Sequence, residues 1–382
     1  MAADAPGLVL LSADTLGGVW TYAVELSAAL GARGLRVALA TMGAPLTEAQ
    51  RAQLAPLRDR VTLYESAYRL EWQDSPWDDV ARAGDWLRGL ERELRPDVVH
   101  LNQFAFGALD FHAPTLLVAH SCVCSWWEAV HHEPAPPSWD PYRDVVRAGV
   151  AGADLVGAPT QAMLRAVQRL HGLTASGVVL PNGRNGALFA PGEKEPFILA
   201  AGRMWDDAKN LVALDAVAAS LPWPVRIAGP TAGPDGAART AWHAELLGTL
   251  TTPELAAELA RASIYASPAR YEPFGLSVLE AGLAACALVL GDLPSLREVW
   301  GDAAIYVGPD DHDALAATLY ALSLDPPRRR RLGAAARQRA LHFTPRRMAD
   351  AYLRAYAGAA TARARRRAAQ ADRAAQEAAC AS

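Results

Sequence analysis

The first half of the chain alternates short apolar runs with amphipathic segments. Each apolar run is four to eight residues long and hydrophobic throughout, as expected of strands buried on both faces of a sheet. Segments with the spacing of helices, such as 19–34 and 77–94, lie between the runs. The predicted strands are 7–14, 36–42, 60–66, 97–103, 115–121, 154–160 and 178–183.

The pattern pauses at 181–196, where Pro, Gly, Asn and charged residues are dense. This composition is typical of a linker, and a second series of apolar runs follows it. The predicted strands of the second series are 197–203, 224–230, 244–250, 263–269, 287–292 and 303–309. The predicted helices between and after them are 209–219, 252–262, 277–286, 311–323 and 327–342.

Alternating strands and helices predict parallel sheets with helices on both faces. The fold class is therefore α/β, with two doubly wound domains facing each other across a cleft. In such sheets ligands bind beyond the carboxyl ends of the strands, at the point where the strand order reverses. The predicted divisions are an N-terminal domain at 1–185, a C-terminal domain at 186–342, a closing helix at 343–360 that we expect to cross back to the N-terminal domain, and a tail at 361–382.

The tail changes character, because it is rich in Ala and Arg and has no apolar stripe. This predicts a frayed or disordered helical segment. Four arginines fall between 363 and 367, so the alternative is a weak basic contact with an anionic membrane or with a partner.

Composition excludes several classes of protein. Of the 382 residues 51% are hydrophobic, which excludes a disordered chain, and the net charge of −4 gives no overall basic surface for nucleic acid. Cys122 and Cys124 have no second pair to complete a zinc site, and with Cys286 and Cys380 they indicate free thiols in a reducing cytoplasm. Residues 1–14 lack a basic region and a long apolar run, which argues against a signal peptide or membrane span.

Two glutamates flank a Pro-Phe-Gly turn in the stretch RYEPFGLSVLEAG, with seven residues between Glu272 and Glu280. Ser277 lies where a helix N-cap is expected, and Glu280 follows three residues later, which is the spacing of a capping box. Glu272 in the plainest interpretation is a solvated loop residue. The alternative is a ligand site, since a helix N-terminus offers unpaired amides and carboxylates accept hydrogen bonds from ligand hydroxyl groups.

Two cations lie on the loop after the strand 197–203. Arg203 ends the strand, and Lys209 stands where the next helix begins. Arg provides a planar fork and Lys a compact charge, a combination suited to a diphosphate. The alternatives are solvated side chains, or pairs with the neighbouring Asp206 and Asp207.

A Gly-Gly pair and a histidine follow two strands of the first domain. Gly17 and Gly18 lie between the first strand and its helix, where a glycine lets the backbone approach a ligand closely. An ordinary tight turn explains the pair equally well. His120 closes the strand 115–121, at the edge where α/β chemistry is found, although a lone histidine there is also compatible with a structural role.

The segment 125–134 contains Trp126 and Trp127, whose rings suit an acceptor pocket because aromatic faces stack on sugar rings. The His-His-Glu triplet at 131–133 lacks the spacing of metal ligands on a helix, so no metal site is predicted there.

Taken together, these residues resemble the retaining glycosyltransferases of family 4, which have the two-domain GT-B fold built from Rossmann-like domains. The resemblance covers the chain up to residue 360. The matching features are the Gly-Gly loop at 17–18, Arg203 with Lys209, the stretch EPFGLSVLE, the Pro-Asn-Gly at 181–183 and the closing stretch 328–356.

The resemblance implies roles for individual residues. Arg203 and Lys209 hold the diphosphate of the donor and stabilise the charge that develops on it. Glu272 faces the hydroxyl groups of the transferred sugar, and Glu280 binds the ribose. The implied catalytic residues are Arg203, Lys209, Glu272 and His120. The implied donor-binding residues are Gly17, Gly18, Phe274, Gly275, Leu276, Ser277 and Glu280; those on the acceptor side are Trp126 and Trp127.

The resemblance also implies the reaction, which is transfer of a sugar from a nucleotide diphosphate donor with retention of the anomeric configuration. We expect a uridine or guanosine diphosphate sugar as donor, no metal and no cofactor, because the two cations and a helix dipole can neutralise the leaving group. The acceptor is a sugar, glycan, lipid or small molecule, shaped by 64–77 and 122–142. The alternatives are a sugar-nucleotide epimerase and a non-catalytic nucleotide-sugar-binding protein. The expected location is the cytoplasm, with a weak peripheral contact at the inner face of the membrane as an option.

Overall fold

Two parallel β-sheets form the framework, one in each half of the chain, and they confirm the predicted fold class. The computed structural model describes residues 7–173, 177–233 and 240–380. The expectations for the first six residues, for the last two residues of the tail and for the Cys380 thiol concern parts that lie outside this description.

The strands of the N-terminal sheet are β1 (Leu8–Asp14), β2 (Arg36–Met42), β3 (Val61–Glu65), β4 (Val98–Leu101), β5 (Thr115–Val118), β6 (Leu155–Ala158) and β7 (Val178–Val179). Their order across the sheet is β3-β2-β1-β4-β5-β6-β7, and each neighbouring pair is parallel. The order reverses between β1 and β4, so the carboxyl end of β1 borders the crevice in which such sheets bind ligands.

The strands of the C-terminal sheet are β8 (Glu195–Ala201), β9 (Val225–Ala228), β10 (Glu245–Gly248), β11 (Ala262–Ser267), β12 (Ala287–Gly291) and β13 (Ile305–Val307). Their order is β10-β9-β8-β11-β12-β13, again parallel throughout. The reversal lies between β8 and β11, which are the strands that precede the Arg203 loop and the Glu272 turn. All the predicted strands are present.

Helices cover both sheets. Those of the first half are α1 (Gly18–Gly31), α2 (Glu48–Leu54), α3 (Trp77–Leu94), α4 (Val123–His131), α5 (Asp140–Gly152) and α6 (Gln161–His171). Those of the second half are α7 (Leu211–Ala218), α8 (Thr252–Arg261), α9 (Leu276–Leu283), α10 (Pro294–Trp300), α11 (His312–Leu324), α12 (Pro326–Ala340) and α13 (Pro345–Cys380). The predicted helices are present, with ends displaced by a few residues.

Successive residues of each strand face opposite layers of helices. In β1, Leu10 packs into the core beneath α3, α5 and α6, whereas Val9 and Leu11 face α1 and α13. This is the alternation that the pleat imposes. All three side chains are fully buried, which stabilises the fold by roughly 2 kcal/mol each.

The chain passes between the two domains twice, and the crossings lie side by side. The backbone N–H of Arg184 donates to the carbonyl of Phe343 at 3.0 Å. Beyond this point α13 returns to the N-terminal sheet, where Met348, Tyr352 and Tyr356 are buried against the core of β1 and α1.

The arginine-rich segment differs from the loose tail expected of it. It continues α13, and the guanidinium of Arg363 binds the fully buried carboxylate of Asp154 at 3.0 Å. Arg366 and Arg367 donate to backbone carbonyls of the N-terminal domain. The sequence lacks an apolar stripe here because arginine hydrogen bonds, not apolar contacts, attach this part of the helix. Within the described residues, no helix is both long and apolar enough to cross a bilayer.

Candidate functional site

The Gly17–Gly18 loop touches the C-terminal domain. Gly17 has φ 69°, and a Cβ placed on it would lie 2.7 Å from Nη1 of Arg203. A Cβ on Gly18 would lie 3.5 Å from Cδ1 of Leu276, the first residue of α9. The carboxyl ends of β1 and β8 therefore face each other, and the Gly-Gly pair is a site of close approach as well as a turn.

Arg203 points into this gap between the domains. Its Nη2 donates to Oδ2 of Asp206 at 2.5 Å, and its guanidinium lies over the ring of Trp205, 5.2 Å from the centroid. About 40% of the side chain is exposed. Nε has no hydrogen-bond partner among the residues described, so the fork retains donors for an anion.

Lys209 and Glu272 form an ion pair. Lys209 Nζ lies 2.6 Å from Oε2 of Glu272, and both side chains are largely buried. The sequence assigned one to the diphosphate and the other to the sugar, and the structure places them against each other. A phosphate at Lys209 would release the Glu272 carboxylate for hydroxyl groups.

Asp206 joins the cation loop to the N-terminal domain. Its carboxylate accepts hydrogen bonds from Arg203, from the backbone of Ala208 and, across the cleft, from Trp126 Nε1 at 3.1 Å. Burial alone would raise the pKa of Asp206, but Arg203, Lys209 and these hydrogen bonds hold it below its ordinary value. The alternative that the neighbouring aspartates pair with the loop cations holds for Asp206 and Arg203, whereas Lys209 pairs with Glu272.

The capping-box interpretation of Ser277 and Glu280 is wrong. Helix α9 begins one residue earlier, at Leu276, and its N-cap is Gly275 with φ 88°. A left-handed residue suits glycine, and it leaves α9 without a side-chain cap at its N-terminus. Phe274 anchors the turn by packing edge-on against Phe343, with ring centroids 5.6 Å apart.

Glu280 belongs to a buried ion triad. Its Oε1 accepts a 2.7 Å hydrogen bond from Nε of Arg184, and Nη1 of Arg184 donates to Glu25 of α1 at the same distance. Burial raises the pKa of Glu280, and the adjacent Arg184 opposes the rise. Neither Arg184 nor Glu25 lies in a motif that predicts this triad. The available signal was a glutamate among the apolar positions of α1.

Comparisons with known proteins agree with this geometry. The model of the family described as Glycosyltransferase Family 4 matches residues 16–185, and that described as Glycosyl transferases group 1 matches residues 187–339. Together they span most of the chain. The chain belongs to glycosyltransferase family 4.

Solved structures of two other proteins have a similar fold. The chain is similar to the sucrose-phosphate synthase of Thermosynechococcus elongatus, with 20% identity, a TM-score of 0.75, and coverage of 90% of this chain and 96% of that one. It is also similar to Anabaena HepE, solved with UDP-glucose, with 16% identity, a TM-score of 0.70 and coverage of 90% and 97%. The likeness confirms the GT-B fold.

Curated relatives match over a short segment. Two glycogen synthases from strains of Mycobacterium tuberculosis are 39% identical over 95 residues, which is 24% of this chain. The match spans about a quarter of the length of those relatives, 23%.

His120 of this family 4 chain has both a structural partner and a place near the cleft. Its Nε2 lies 2.8 Å from Oδ1 of Asn102, and its ring lies 4.2 Å from that of Tyr22. Burial lowers the pKa of His120 to about 3, so the imidazole is neutral at physiological pH. It can exchange a hydrogen bond with a ligand but carries no charge.

The two tryptophans of α4 differ in their contacts. Trp126 reaches Asp206, as described above. Trp127 instead packs against His131, with ring centroids 4.4 Å apart, and its Nε1 has no partner among the described residues. Both remain candidates for the acceptor side.

Two buried carboxyl groups escaped the sequence reasoning. Asp14 ends β1, and burial raises its pKa to about 7 although Arg203 opposes the rise. Glu71 accepts backbone hydrogen bonds from Phe104 and Ala105, and burial raises its pKa also to about 7. Neither lies in a recognisable motif, because burial of an acid depends on the packing around it.

Contacts on the far side of the turn also link the domains. The hydroxyl of Tyr271 accepts from the backbone of Cys122 at 3.1 Å and lies 2.8 Å from Oγ of Ser125. Glu298 of α10 accepts from the backbone N–H groups of Gln161 and Ala162 at the start of α6. The turn that carries Glu272 is thus held to α4, and α10 is held to α6.

An Asp-His-Asp triplet at 311–313 follows β13. It bears on the prediction of a metal-independent site, because carboxylates and histidine can bind metals. The carboxylate of Asp311 accepts from the backbone N–H of Ala314 and caps α11. The Asp311 carboxylate therefore has a structural role at the start of α11.

Proposed function

We propose that this family 4 chain is an enzyme that transfers a hexosyl group from a nucleotide diphosphate sugar to an acceptor, with retention of configuration and without a metal at the donor. The C-terminal domain binds the donor, and the N-terminal domain shapes the acceptor side. The observation that carries the proposal is the position of Arg203, whose guanidinium faces Gly17 across the gap between the two strand-order reversals.

The leaving nucleoside diphosphate needs positive charge at the moment the glycosidic bond breaks. Arg203 and Lys209 provide two cations on one loop, and the N-terminus of α9 adds amides and a dipole. Each cation is paired with a carboxylate. A bound diphosphate would compete with these two carboxylates, because it carries negative charge as they do. The displaced carboxylates would then need other hydrogen-bond donors, which Trp126 and Ala208 provide for Asp206 and which sugar hydroxyl groups would provide for Glu272.

Retention is consistent with a front-face route. The bond between the anomeric carbon and the phosphate oxygen breaks as the acceptor oxygen bonds to the same face, and the leaving phosphate takes the acceptor's proton. Glu272, freed from Lys209, holds sugar hydroxyl groups. His120 is neutral and serves as a hydrogen-bond partner near the sugar.

A uridine diphosphate sugar is the donor we favour. Anabaena HepE has been solved with UDP, with UDP and glucose, and with UDP-glucose. This chain shares the fold of that protein, which supports a uridine diphosphate donor. The acceptor stays undefined beyond the segments 64–77 and 122–142. No comparison favours an epimerase or a non-catalytic binding protein.

The proposal is tested by incubating the full-length chain with a panel of uridine and guanosine diphosphate sugars, with and without candidate acceptors. Free nucleoside diphosphate and product mass are measured, with and without added Mg²⁺ or Mn²⁺. We expect acceptor-dependent release of the nucleotide that added metal does not change. An epimerised donor would contradict transfer. Absence of binding to every donor in calorimetry would contradict a nucleotide-sugar site altogether.

Arg203→Ala provides the residue-level test. Removing one preorganised charge from a leaving group costs roughly 10²–10³ in turnover, and Glu280→Ala should instead weaken donor binding. Arg82→Ala is the matched control, because Arg82 also pairs with an aspartate three residues away but on an exposed helix face. Normal turnover in Arg203→Ala together with normal donor binding in Glu280→Ala would refute the site.

A further inference from the structure

Three metal-binding side chains converge under the acceptor side of the N-terminal domain. Cys122 and Cys124 stand at the start of α4, and His171 is the last residue of α6. Their ligand atoms all lie within 4.8 Å of one another, and Sγ of Cys122 is 3.1 Å from Nε2 of His171. All three residues are buried. The sequence alone gave no reason to join the cysteines to a histidine 47 positions further along.

The helices that carry these residues are fixed to each other. The guanidinium of Arg169 binds both carboxylate oxygens of Glu128, at 3.1 and 2.6 Å, and so joins α6 to α4 close to the cluster. Nδ1 of His171 is buried and has no hydrogen-bond partner in the described part of the chain. The ligand atoms are therefore brought together by a framework that does not depend on their own contacts.

We propose that Cys122, Cys124 and His171 bind one thiophilic divalent cation of the zinc type. Two thiolates and a neutral imidazole are a ligand set that Zn²⁺ accepts, and three protein ligands leave a fourth tetrahedral position for water or a small ligand. Zinc bond lengths of about 2.3 Å to sulfur and 2.0 Å to nitrogen place a bound sulfur and a bound nitrogen roughly 3.6 Å apart. Sγ of Cys122 and Nε2 of His171 are 3.1 Å apart, so zinc binding requires only a small side-chain movement.

Charge also favours this assignment. Binding displaces the two thiol protons to solvent, and two thiolates balance a divalent cation, so the buried site is neutral overall. A buried neutral cluster avoids the cost of an unpaired buried charge.

The ion would be structural. Its ligands are not members of the Arg203–Asp206 and Lys209–Glu272 pairs, but Cys122 donates its backbone N–H to the hydroxyl of Tyr271 in the C-terminal domain. A cation at the start of α4 would thus fix the helix that carries Trp126 and the contact next to the Glu272 turn. The inference does not rest on the proposed function.

Cobalt binding tests the site directly. Full-length protein is reduced, freed of metal and titrated with Co²⁺, which reports thiolate ligation by a charge-transfer absorption in the near ultraviolet. We expect one equivalent of Co²⁺ with this absorption and its displacement by Zn²⁺. Zn²⁺ should also raise the thermal midpoint, because binding to the folded state alone stabilises it.

Two variants remove ligands: the double variant Cys122→Ser/Cys124→Ser, and the single variant His171→Gln. Cys286→Ser is the control. Cys286 is also a buried free thiol but lies in the C-terminal domain. The absorption should vanish in the double serine variant and persist in the control. In His171→Gln the affinity for Co²⁺ should fall at least tenfold. If the double variant does not fold, Cys124→Ser alone decides. An unchanged titration in these variants, or no absorption in the reduced parent protein, would overturn the proposal.

Discussion

Trp126 donates its indole N–H to the carboxylate of Asp206 across the cleft, at 3.1 Å. The same carboxylate holds Arg203, the cation proposed to stabilise the leaving group. One side chain of α4, the helix proposed to line the acceptor side, is therefore connected through a single aspartate to the loop proposed to bind the donor. The position of Arg203 depends on the relative placement of the two domains.

Trp126→Phe removes this hydrogen bond and keeps the aromatic ring. We expect a loss of about 1 kcal/mol in the free energy of unfolding and a several-fold rise in the KM for the donor, with a smaller effect on kcat than Arg203→Ala has. Trp127→Phe is the matched control, because the indole N–H of Trp127 has no partner among the described residues. Equal effects of the two substitutions would show that the interdomain hydrogen bond has no role.

Gly17→Ala should separate close approach from backbone strain. The new Cβ would meet Arg203 Nη1 at 2.7 Å, and the residue has φ 69°. Gly34→Ala also places a side chain at a positive φ, 87°, but with nothing within 4 Å. Both variants should lose about 1–3 kcal/mol of unfolding free energy because of the positive φ. The loss should be larger at Gly17, whose ψ of −150° lies in a region that essentially only glycine adopts. Only Gly17→Ala should lose turnover as well, and comparable activity in the two would contradict the cleft assignment.

Arg184→Met leaves Glu25 and Glu280 facing each other without their cation. Breaking a buried ion network by removing one partner costs about 3–5 kcal/mol, so urea unfolding should show a large loss of stability. Changing Glu25 and Glu280 to Gln in the Arg184→Met background should recover part of it, because the uncompensated charges are gone. A loss below about 1 kcal/mol in Arg184→Met would mean that the triad is open to solvent.

Glu71 should make the protein less stable as the pH rises. Burial raises its pKa from 4.5 to about 7, so the folded state binds the proton more tightly than the unfolded state between these values. Its stabilising effect is full below pH 4.5 and is lost as the pH rises to 7. Burial of His100 lowers the pKa of that group well below its usual value and gives the opposite slope near pH 6.5.

The pH effect of Glu71 is isolated by comparison with Glu71→Gln. The difference in unfolding free energy between the wild type and this variant should fall by about 3 kcal/mol between pH 4.5 and 7.5, measured by urea unfolding at several pH values. Asp79→Asn is a control, since Asp79 is a partly exposed carboxylate whose pKa is lowered by its hydrogen bond from Arg82. A difference that stays constant with pH would show that Glu71 is ionised throughout.

The strands, the helices between them and the division into two halves could all be predicted from the pattern of apolar and polar residues. Runs such as 7–14 and 287–292 are apolar at every position, and burial on both faces of a parallel sheet is the physical reason for that pattern. It also placed Arg203, Lys209, Glu272 and Gly17 on loops at strand ends, because those positions follow directly from the local order of elements. The prediction that Ser277 caps the helix was wrong. Gly275 takes the left-handed conformation and is the N-cap, so α9 begins at Leu276.

Contacts between residues that are far apart in the chain could not be predicted and were found in the folded structure. The pairing of Glu280 with Arg184 and Glu25, the contact of Trp126 with Asp206, and the meeting of His171 with Cys122 all join elements separated by many residues. The attachment of Arg363 to Asp154 is of the same kind. Local periodicity reports which face of an element is buried but not what lies against it, because that depends on strand order and on how the two sheets face each other.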